Sequence, residues 1–449
     1  MNLFNLLKAR EADGKPLRVG LIGAGKFGAM YLAQVARTPG MQMVGIADLS
    51  PQRARDTLAR VGWVAEQYQA PSLGAALDSG TTAIVDDGMA LITFDGIDII
   101  IDATGHPAAG IKHVLACCDA GKHIVMVNVE ADALAGPLLA AKAREAGIVY
   151  SLAYGDQPAL ICEQVDWARA AGFEVIAAGK GTKYLPTYHQ STPDDVWGHY
   201  GIAAEDAAAG GMNPQMFNSF LDGTKSAIEM ASVANATGLS APDGGLMFPA
   251  CGVDDLPTLL RPKTDGGILS KRGQVEVVSS LERDTRPVFR DLRWGVYVTF
   301  AGDTDYARRC FQEYGLLTDD TGNYTAMYKP YHLIGLELGI SVASVGLRHE
   351  PTGQPLSWRA DVVATAKRDL TAGEVLDGEG GYRVYGQLMP AERSLLKGGL
   401  PLGLAHNVKL TRAVAAGQSI TWDDVEIDRT DPAVALRLEM QEMMSPSAS

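Results

Sequence analysis

A glycine-rich turn between an apolar strand and a helix is the feature that most constrains this fold. Gly23, Gly25 and Gly28 form the pattern G-A-G-K-F-G directly after the apolar run RVGLI and directly before the helical run AMYLAQVAR. In that context the first glycine permits a tight turn, the second lets the backbone approach a pyrophosphate, and the third lets the helix pack closely on the sheet. Free N–H groups at the helix N-terminus can bind the phosphates. The sequence therefore predicts a dinucleotide-binding turn made of Gly23, Gly25, Lys26, Phe27 and Gly28.

The first third of the chain alternates short apolar runs with segments of helical period. From Leu17 to about Leu152 the apolar runs are RVGLIG, QMVGIAD, IDIIIDATG, KHIVMVN and GIVYSLA. Such alternation is typical of an α/β Rossmann domain, a doubly wound parallel sheet with helices on both faces. The long crossover between Asp48 and Ile97 contains one more apolar run, TTAIV, and two helical stretches, which we interpret as part of the same domain.

The rest of the chain changes character twice. Residues 153–355 are rich in glycine and proline, with helical patterns at PALICEQVDWARAAG and SAIEMASVANATG and strand patterns at FEVIAAG and WGVYVTF. This mixture predicts an α+β catalytic domain. Residues 356–449 contain short β runs broken by turns, which predict a small β-rich domain with a frayed tail after Gln441. We therefore predict three domains, at 1–152, 153–355 and 356–449.

Composition excludes several classes of function. The net charge of −14 and a pI near 5.1 disfavour a nucleic-acid partner, because an acidic surface repels phosphate backbones. Five cysteines, two of them adjacent at Cys117 and Cys118, suit reduced thiols. No apolar run reaches the length of a membrane span or a signal peptide. We expect a cytoplasmic homo-oligomer with a small-molecule substrate and no membrane partner.

The choice between NAD and NADP rests on the end of the second strand. Asp48 stands there, twenty positions after Gly28. A carboxylate at that position accepts hydrogen bonds from the ribose hydroxyls and repels a 2′-phosphate, which favours NAD. Arg53 and Arg55 follow closely, and an arginine can clamp the 2′-phosphate of NADP. The sequence leaves both cofactors open.

Two further strand ends carry polar residues. Thr104 and Gly105 follow the run IIID, and Asn128 and Glu130 lie in VMVNVEAD at the next strand end. Ligands of doubly wound sheets bind beyond the carboxyl ends of the strands. We therefore predict that these four residues contact the cofactor, with loop capping as the alternative.

Candidate catalytic residues lie in the second domain. Reduction of a carbonyl requires a cation or an acid near the oxygen. Lys180, flanked by glycines at the end of FEVIAAG, is predicted for that role. Lys183 is predicted to hold an anionic group of the substrate as a point charge. His332 in KPYHL is a candidate proton donor or anion clamp.

A reaction that includes a carbon-skeleton shift would need a hard divalent ion such as Mg²⁺ or Mn²⁺, which prefers carboxylate ligands. Asp156 in GDQP and Glu229 in SAIEMASVANATG are the candidate pair, and Asn235 follows on the same predicted helix. The alternatives are a helix N-cap for Asp156 and a buried ion pair for Glu229.

Several segments resemble known families. RVGLIGAGKFG, IIDATGHP, VMVNVEAD and VYSLAYGDQP are similar to the nucleotide domain of homoserine dehydrogenases. The motifs NVEAD, YGDQP, AGKG, EMASVANATGL, GGILSK and YKPYHL extend the similarity, from Met1 to about Asp428, to the 1-deoxy-D-xylulose 5-phosphate reductoisomerase-like family. This resemblance implies NADPH-dependent rearrangement and reduction of a phosphorylated keto-sugar with a divalent metal, and a C-terminal SAF-type domain. Asp48 departs from the pattern expected of NADPH-dependent members.

Together these observations predict an NAD(P)-dependent oxidoreductase that acts on a small anionic hydroxy or keto compound, with isomerisation of a keto-sugar phosphate as one version. A second version is a homoserine-dehydrogenase-like alcohol or aldehyde oxidoreductase without metal. A different class of protein, one that binds NAD or carbohydrate without catalysis, is the remaining alternative.

Overall fold

The structure is a computed structural model, and it describes residues 2–444; the tail after Gln441, predicted to fray, lies mostly outside the described residues. The strands, numbered in chain order, are β1 Leu17–Ile22, β2 Met41–Ala47, β3 Ala83–Val85, β4 Ile99–Asp102, β5 His123–Met126, β6 Tyr150–Leu152, β7 Glu174–Thr182, β8 Gln274–Ser279, β9 Val296–Ala301, β10 Tyr324–Lys329, β11 Ala360–Ala366, β12 Val375–Asp377, β13 Val384–Pro390, β14 His406–Leu410 and β15 Val425–Glu426.

The α-helices are numbered in the same way. They are α1 Leu3–Ala12, α2 Lys26–Val35, α3 Pro51–Arg60, α4 Leu73–Ser79, α5 Gly88–Thr93, α6 Pro107–Ala120, α7 Val129–Glu145, α8 Gln157–Ala170, α9 Val196–Tyr200, α10 Ala204–Ala209, α11 Pro214–Leu221, α12 Thr224–Thr237, α13 Leu256–Leu259, α14 Asp305–Glu313, α15 Gly339–Arg348, α16 Ala391–Lys397 and α17 Pro432–Met444. Over residues 2–444, no helix combines the length and the apolar character needed to cross a bilayer.

The chain forms two compact units. The first contains the chain up to Leu160 together with Leu333–Leu356, and the second contains Ile161–His332 together with the chain from Ser357 onward. We predicted three consecutive segments instead. The difference arises because Leu333–Leu356 returns to the first unit, where α15 buries apolar side chains such as Val342 and Val345 against the core that contains Leu17 and Ile99.

The first unit contains a six-stranded parallel sheet in the order β3-β2-β1-β4-β5-β6. This order confirms the predicted Rossmann fold and places TTAIV in the sheet as β3, within the long crossover. The register aligns Ile22 of β1 with Ala47 of β2 and with Asp102 of β4. The glycine-rich turn, Asp48, Thr104 and Asn128 therefore all follow strand ends at one edge of this sheet.

The second unit mixes helices with antiparallel and parallel strands. Its larger sheet has the order β10-β9-β7-β8, in which β7 runs parallel to β8 and antiparallel to β9. Helix α12 is buried along nearly its whole length. A polar side chain on α12 that finds no partner inside the protein costs free energy.

The C-terminal part of the second unit contains small antiparallel sheets, β11 with β13 and β12 with β14 and β15, as predicted for a β-rich segment. Helix α17 is joined to it by the buried Arg437, which lies 2.5 Å from Asp361 and 4.7 Å from the centroid of the Trp358 ring. That this segment is of SAF type stays a prediction.

Candidate functional site

The glycine-rich turn leaves open space in front of helix α2. Gly23 has a φ of +99°, and a Cβ at that position would lie 2.7 Å from a carbonyl oxygen at the end of β4. A Cβ at Gly28 would lie 2.2 Å from the Gly23 carbonyl oxygen, so this glycine lets α2 approach β1. A Cβ at Gly25 would meet no heavy atom within 4 Å. Lys26 and Phe27 begin α2, and the turn fits a pyrophosphate bound to the first N–H groups of that helix.

Asp48 is held by the protein itself. Its Oδ2 accepts from the Ala24 backbone N at 3.0 Å, and its Oδ1 accepts from the Ser50 backbone N at 2.9 Å and from Arg53 Nη2 at 2.6 Å. The Asp48 side chain is 0% exposed, whereas that of Arg53 is 59% exposed. The group that this strand end presents to solvent is therefore the arginine rather than the carboxylate.

The ends of β4 and β5 share one hydrogen-bond network. Asp102 accepts from the Thr104 hydroxyl at 2.6 Å and lies 2.8 Å from His113 Nδ1. Asn128 Nδ2 donates to the Thr104 hydroxyl at 3.1 Å and to the His106 carbonyl oxygen at 2.9 Å. This network fixes the loop after β4, and the loop presents exposed Thr104 and His106 at the sheet edge.

One of the residues predicted to contact the cofactor, Asn128, caps a helix in the structure. Asn128 is fully buried and its Oδ1 accepts from the Ala131 backbone N, which caps helix α7. Glu130 lies in the first turn of α7, and Gly105 is exposed with a φ of +64°. Direct contact of these residues with a cofactor stays a prediction.

Lys180 and Glu229 form a buried ion pair in the second unit. Their side chains are 6% and 3% exposed, and Lys180 Nζ contacts Glu229 Oε2. Strand β7 continues to Thr182, so Lys180 lies inside the strand rather than at its end as predicted. The sequence left two roles for Glu229, a metal ligand or a member of a buried ion pair, and the structure shows the ion pair.

The glycines beside Lys180 serve strand packing. A Cβ at Gly179 would lie 1.8 Å from the Glu276 carbonyl oxygen, and one at Gly181 would lie 1.9 Å from the Leu292 carbonyl oxygen. Any side chain larger than hydrogen would therefore push β7 away from its neighbours. Close packing on both sides fixes the position of Lys180.

Lys183 follows the end of β7. Its Nζ donates to the His199 carbonyl oxygen and lies 5.6 Å from the centroid of the Tyr200 ring. Burial and the charge of Arg293 lower the pKa of Lys183. His332 Nδ1 lies 2.8 Å from the Trp294 carbonyl oxygen, to which it donates, and its predicted role as an acid or an anion clamp stays a prediction.

Asn235 and Asp156 have structural contacts. Asn235 Oδ1 accepts from the backbone N atoms of Arg359 and Ala360 at 2.7 and 3.0 Å, and its Nδ2 donates to the Ala360 carbonyl oxygen at 3.3 Å. Both ends of the amide are thus used to hold β11, which argues against the predicted catalytic role of Asn235. Asp156 Oδ1 accepts from the Gln157 backbone N at the start of α8.

The predicted metal site receives no support from the geometry. Glu229 is engaged by Lys180, and in the part of the chain that the structure describes no three His, Cys, Asp or Glu side chains come together as a metal site would require. Binding of Mg²⁺ or Mn²⁺ by Asp156 and Glu229 stays a prediction.

Sequence reasoning missed a small polar cavity in the second unit. Its volume is about 90 Å³, and its lining includes His189, Gly223, Gly245, Tyr385 and Gln387. His189 is fixed by the Asp222 carbonyl oxygen at 2.7 Å and the Tyr184 hydroxyl at 2.9 Å. No local sequence motif indicates this cavity, because its walls come from four distant segments of the chain.

Two family models match the chain. Residues 17–127 match the Gfo/Idh/MocA oxidoreductase family, NAD-binding Rossmann fold, and residues 155–338 match the catalytic domain of oxidoreductase DRL. No curated protein sequence matches the chain significantly.

Solved structures match parts of the chain at low identity. An NAD-binding oxidoreductase from Klebsiella pneumoniae is 18% identical over 38% of this chain and 44% of its own, with a TM-score of 0.28. Myo-inositol dehydrogenase from Lactobacillus casei is 15% identical over 40% and 50%, with a TM-score of 0.30. A putative NADPH-dependent oxidoreductase from Desulfitobacterium hafniense is 11% identical over 75% and 89%, with a TM-score of 0.38. The chain spans half or less of the length of the first two structures.

The two family matches agree with the geometry described above. The first contains the open glycine-rich turn and the Asp48–Arg53 pair, and the second contains the buried Lys180–Glu229 pair. The resemblance to reductoisomerase-like proteins and to SAF domains is not tested by these matches. The chain is therefore similar to an NAD-binding Rossmann domain over residues 17–127 and to an oxidoreductase catalytic domain over residues 155–338.

Proposed function

We propose that this chain transfers a hydride between NAD(P) and a carbonyl or hydroxyl carbon of a small anionic compound, with Lys180 as the proton donor to the oxygen. The observation that carries this proposal is the buried Lys180–Glu229 pair in the matched catalytic domain. A lysine is seldom fully buried unless it is paired, and a buried ammonium is an effective source of a proton and of positive charge.

The chemistry assigns a separate role to each side chain. When bound, the nicotinamide supplies the hydride to the carbonyl carbon. As the oxygen gains negative charge, the Lys180 ammonium gives it a proton and becomes neutral. The Glu229 carboxylate holds the Lys180 amino group in position through their direct contact, and a proton from solvent restores the ammonium after the transfer.

We infer that NADP is preferred over NAD. The Asp48 carboxylate is buried and already accepts three hydrogen bonds, so it is not free to bind the ribose hydroxyls. The exposed Arg53 guanidinium offers several donors to a 2′-phosphate. We propose this preference for the choice between NAD and NADP that the sequence leaves open.

The finer versions of the reaction remain proposals. Isomerisation of a keto-sugar phosphate through a divalent metal is the less supported version. Glu229, the proposed metal ligand, already forms an ion pair with Lys180. Treatment with EDTA separates it from metal-free reduction or oxidation, since only the metal-dependent version would lose turnover. Homo-oligomeric assembly and a cytoplasmic location stay predictions.

The experiment that tests the proposal compares two buried lysines. Purified protein is assayed by nicotinamide absorbance with keto-sugar phosphates and hydroxy acids, using each cofactor. Lys180→Met is expected to lower turnover by at least about a hundredfold, the range for loss of a general acid, while NADP affinity stays within about twofold. Loss of turnover together with intact cofactor binding excludes a protein that only binds the nucleotide.

Lys367→Met is the matched control. Lys367 forms a second buried ion pair, 2.8 Å from Asp222, with side chains 2% and 0% exposed. Removal of one partner of such a pair costs roughly 3–5 kcal/mol, so both variants should be destabilised to a similar degree. Equal losses of turnover per folded molecule in the two variants would contradict a catalytic role for Lys180.

A further inference from the structure

Strand pairing brings an arginine to the end of β7 that no sequence motif singles out. Strands β7 and β9 are antiparallel, and Lys180 lies opposite Val296. Residues that follow Lys180 therefore lie opposite residues that precede Val296, and the Gly181 N donates to the Gly295 carbonyl oxygen at 3.0 Å. Arg293 lies two residues before Gly295, close enough to Lys183 for its charge to act on the ammonium group.

Lys183 and Arg293 both contact one aromatic ring. Lys183 Nζ lies 5.6 Å from the centroid of the Tyr200 ring, and Arg293 Cζ lies 5.9 Å from the same centroid. Arg293 Cζ also lies 4.7 Å from the centroid of the Trp294 ring. We call Lys183 and Arg293 the β7 cation pair.

The β7 cation pair has no carboxylate partner among the described residues. Both side chains are half-buried. The nearby Asp291 accepts from the Arg293 backbone N at 2.8 Å, but it makes no ion pair with the guanidinium. The polar contact of the Lys183 ammonium is the His199 carbonyl oxygen, which is neutral.

Two half-buried positive charges with no carboxylate partner are energetically unfavourable when no ligand is bound. Burial and the charge of Arg293 both disfavour the charged form of Lys183. The lowered pKa of Lys183 agrees with this arrangement. An anion bound between the two side chains would convert the repulsion into two attractive contacts, in which arginine supplies a planar set of donors and lysine a compact charge.

We propose that Lys183 and Arg293 form an anion subsite that binds the oxyanion group of the substrate, a phosphate or a carboxylate. The inference rests on the proposed function, since Lys180 lies on the same strand and would act on the carbonyl of the same compound. Lys183 and Arg293 do not take part in proton transfer. They position the substrate and select for negative charge.

The test measures anion binding directly, without cofactor or turnover. Inorganic phosphate and acetate are titrated by calorimetry into the full chain and into Lys183→Met and Arg293→Met. Loss of one of two cations should weaken phosphate binding about tenfold or more, equal to about 1.4 kcal/mol. Tighter binding of phosphate than of acetate identifies a phosphate group as the preferred ligand, and the reverse order identifies a carboxylate.

Two further variants keep the test specific. Arg286→Met removes an arginine that is 75% exposed and pairs with Asp284, and it should leave phosphate affinity within about twofold. Arg293→Lys keeps the charge and should retain more affinity than Arg293→Met. Equal phosphate affinity in the wild type, Lys183→Met and Arg293→Met overturns the subsite, as does an equal loss in Arg286→Met.

Failure of the subsite and failure of the proposed function can be told apart. If Lys180→Met retains both turnover and phosphate binding, the catalytic assignment is wrong and the subsite stands. If Lys180→Met loses turnover while Lys183→Met and Arg293→Met bind phosphate and substrate normally, the subsite is wrong and the catalytic assignment stands.

Discussion

Arg53 Nη2 lies 2.6 Å from Oδ1 of Asp48, and this contact places a positive rather than a negative group at the end of the second strand. We expect Arg53→Gln to weaken NADP⁺ binding about tenfold or more, because a charge-assisted contact with the 2′-phosphate is lost. NAD⁺ binding should be unchanged or tighter, since Asp48 is released. Calorimetric titration of both cofactors measures the two affinities.

Arg55→Gln is the control for that experiment. Arg55 is exposed on the same helix, so its removal changes the net charge equally. NADP⁺ affinity should stay within about threefold, as expected for a screened surface charge. Equal effects of the two substitutions would mean that general charge, not the Arg53 position, governs cofactor choice.

The close packing of α2 on β1 gives a second prediction. Gly28→Ala places a Cβ 2.2 Å from the Gly23 carbonyl oxygen, so the helix must move. We expect a loss of about 1–3 kcal/mol in the free energy of unfolding, together with weaker binding of both cofactors. Gly74→Ala in α4, where a Cβ finds ordinary space, should instead be neutral or stabilising by up to about 1 kcal/mol.

The amide of Asn235 gives a third prediction. Asn235→Ala removes three hydrogen bonds to the start of β11 and leaves backbone groups there unpaired. We expect a loss of about 3 kcal/mol in the free energy of unfolding by urea, with turnover per folded molecule within about threefold. A large fall in turnover without loss of stability would restore the catalytic role predicted from the sequence.

The buried carboxyl group of Glu276 should make the stability of the protein depend on pH. Burial raises the pKa of this carboxyl group to about 7, although the backbone N atoms of Met247, Phe248 and Val277 donate to it and act in the opposite direction. A carboxyl group with a raised pKa in the folded state stabilises the protein at low pH, and this contribution is lost as pH rises from the unfolded value towards 7. Wild type should therefore lose stability relative to Glu276→Gln between pH 5 and 7.5.

The expected size of that relative loss is about 2 kcal/mol. Urea denaturation of both proteins at the two pH values measures it. If the stability difference between wild type and Glu276→Gln does not change with pH, then Glu276 keeps an ordinary pKa in the folded protein.

The sequence predicted features that depend on neighbours in the chain. The glycine pattern requires only one turn and one helix, and the Rossmann sheet follows from repeated apolar runs. The capping role of His106, which accepts from the Ala109 backbone N, could also be inferred from its place before Pro107. Such local signals do not need the rest of the fold.

Contacts between distant segments could not be predicted in that way. Lys180 and Glu229 were both candidates, but no pattern in the sequence says that they pair with each other. Arg293 was not a candidate, and only the fold shows that it contacts the same Tyr200 ring as Lys183. The use of Asn235 to hold β11 likewise depends on a segment far along the chain.

Helix α15 has a consequence for how this protein can be divided. The chain passes between the two units after Leu160, after His332 and after Leu356, so no single cut separates them. A fragment that stops at Leu160 would lack α15 and would leave apolar side chains of the β-sheet, including Leu17 and Ile99, open to water. Proteolytic release of an intact nucleotide-binding piece therefore requires that residues 333–356 remain attached to it non-covalently.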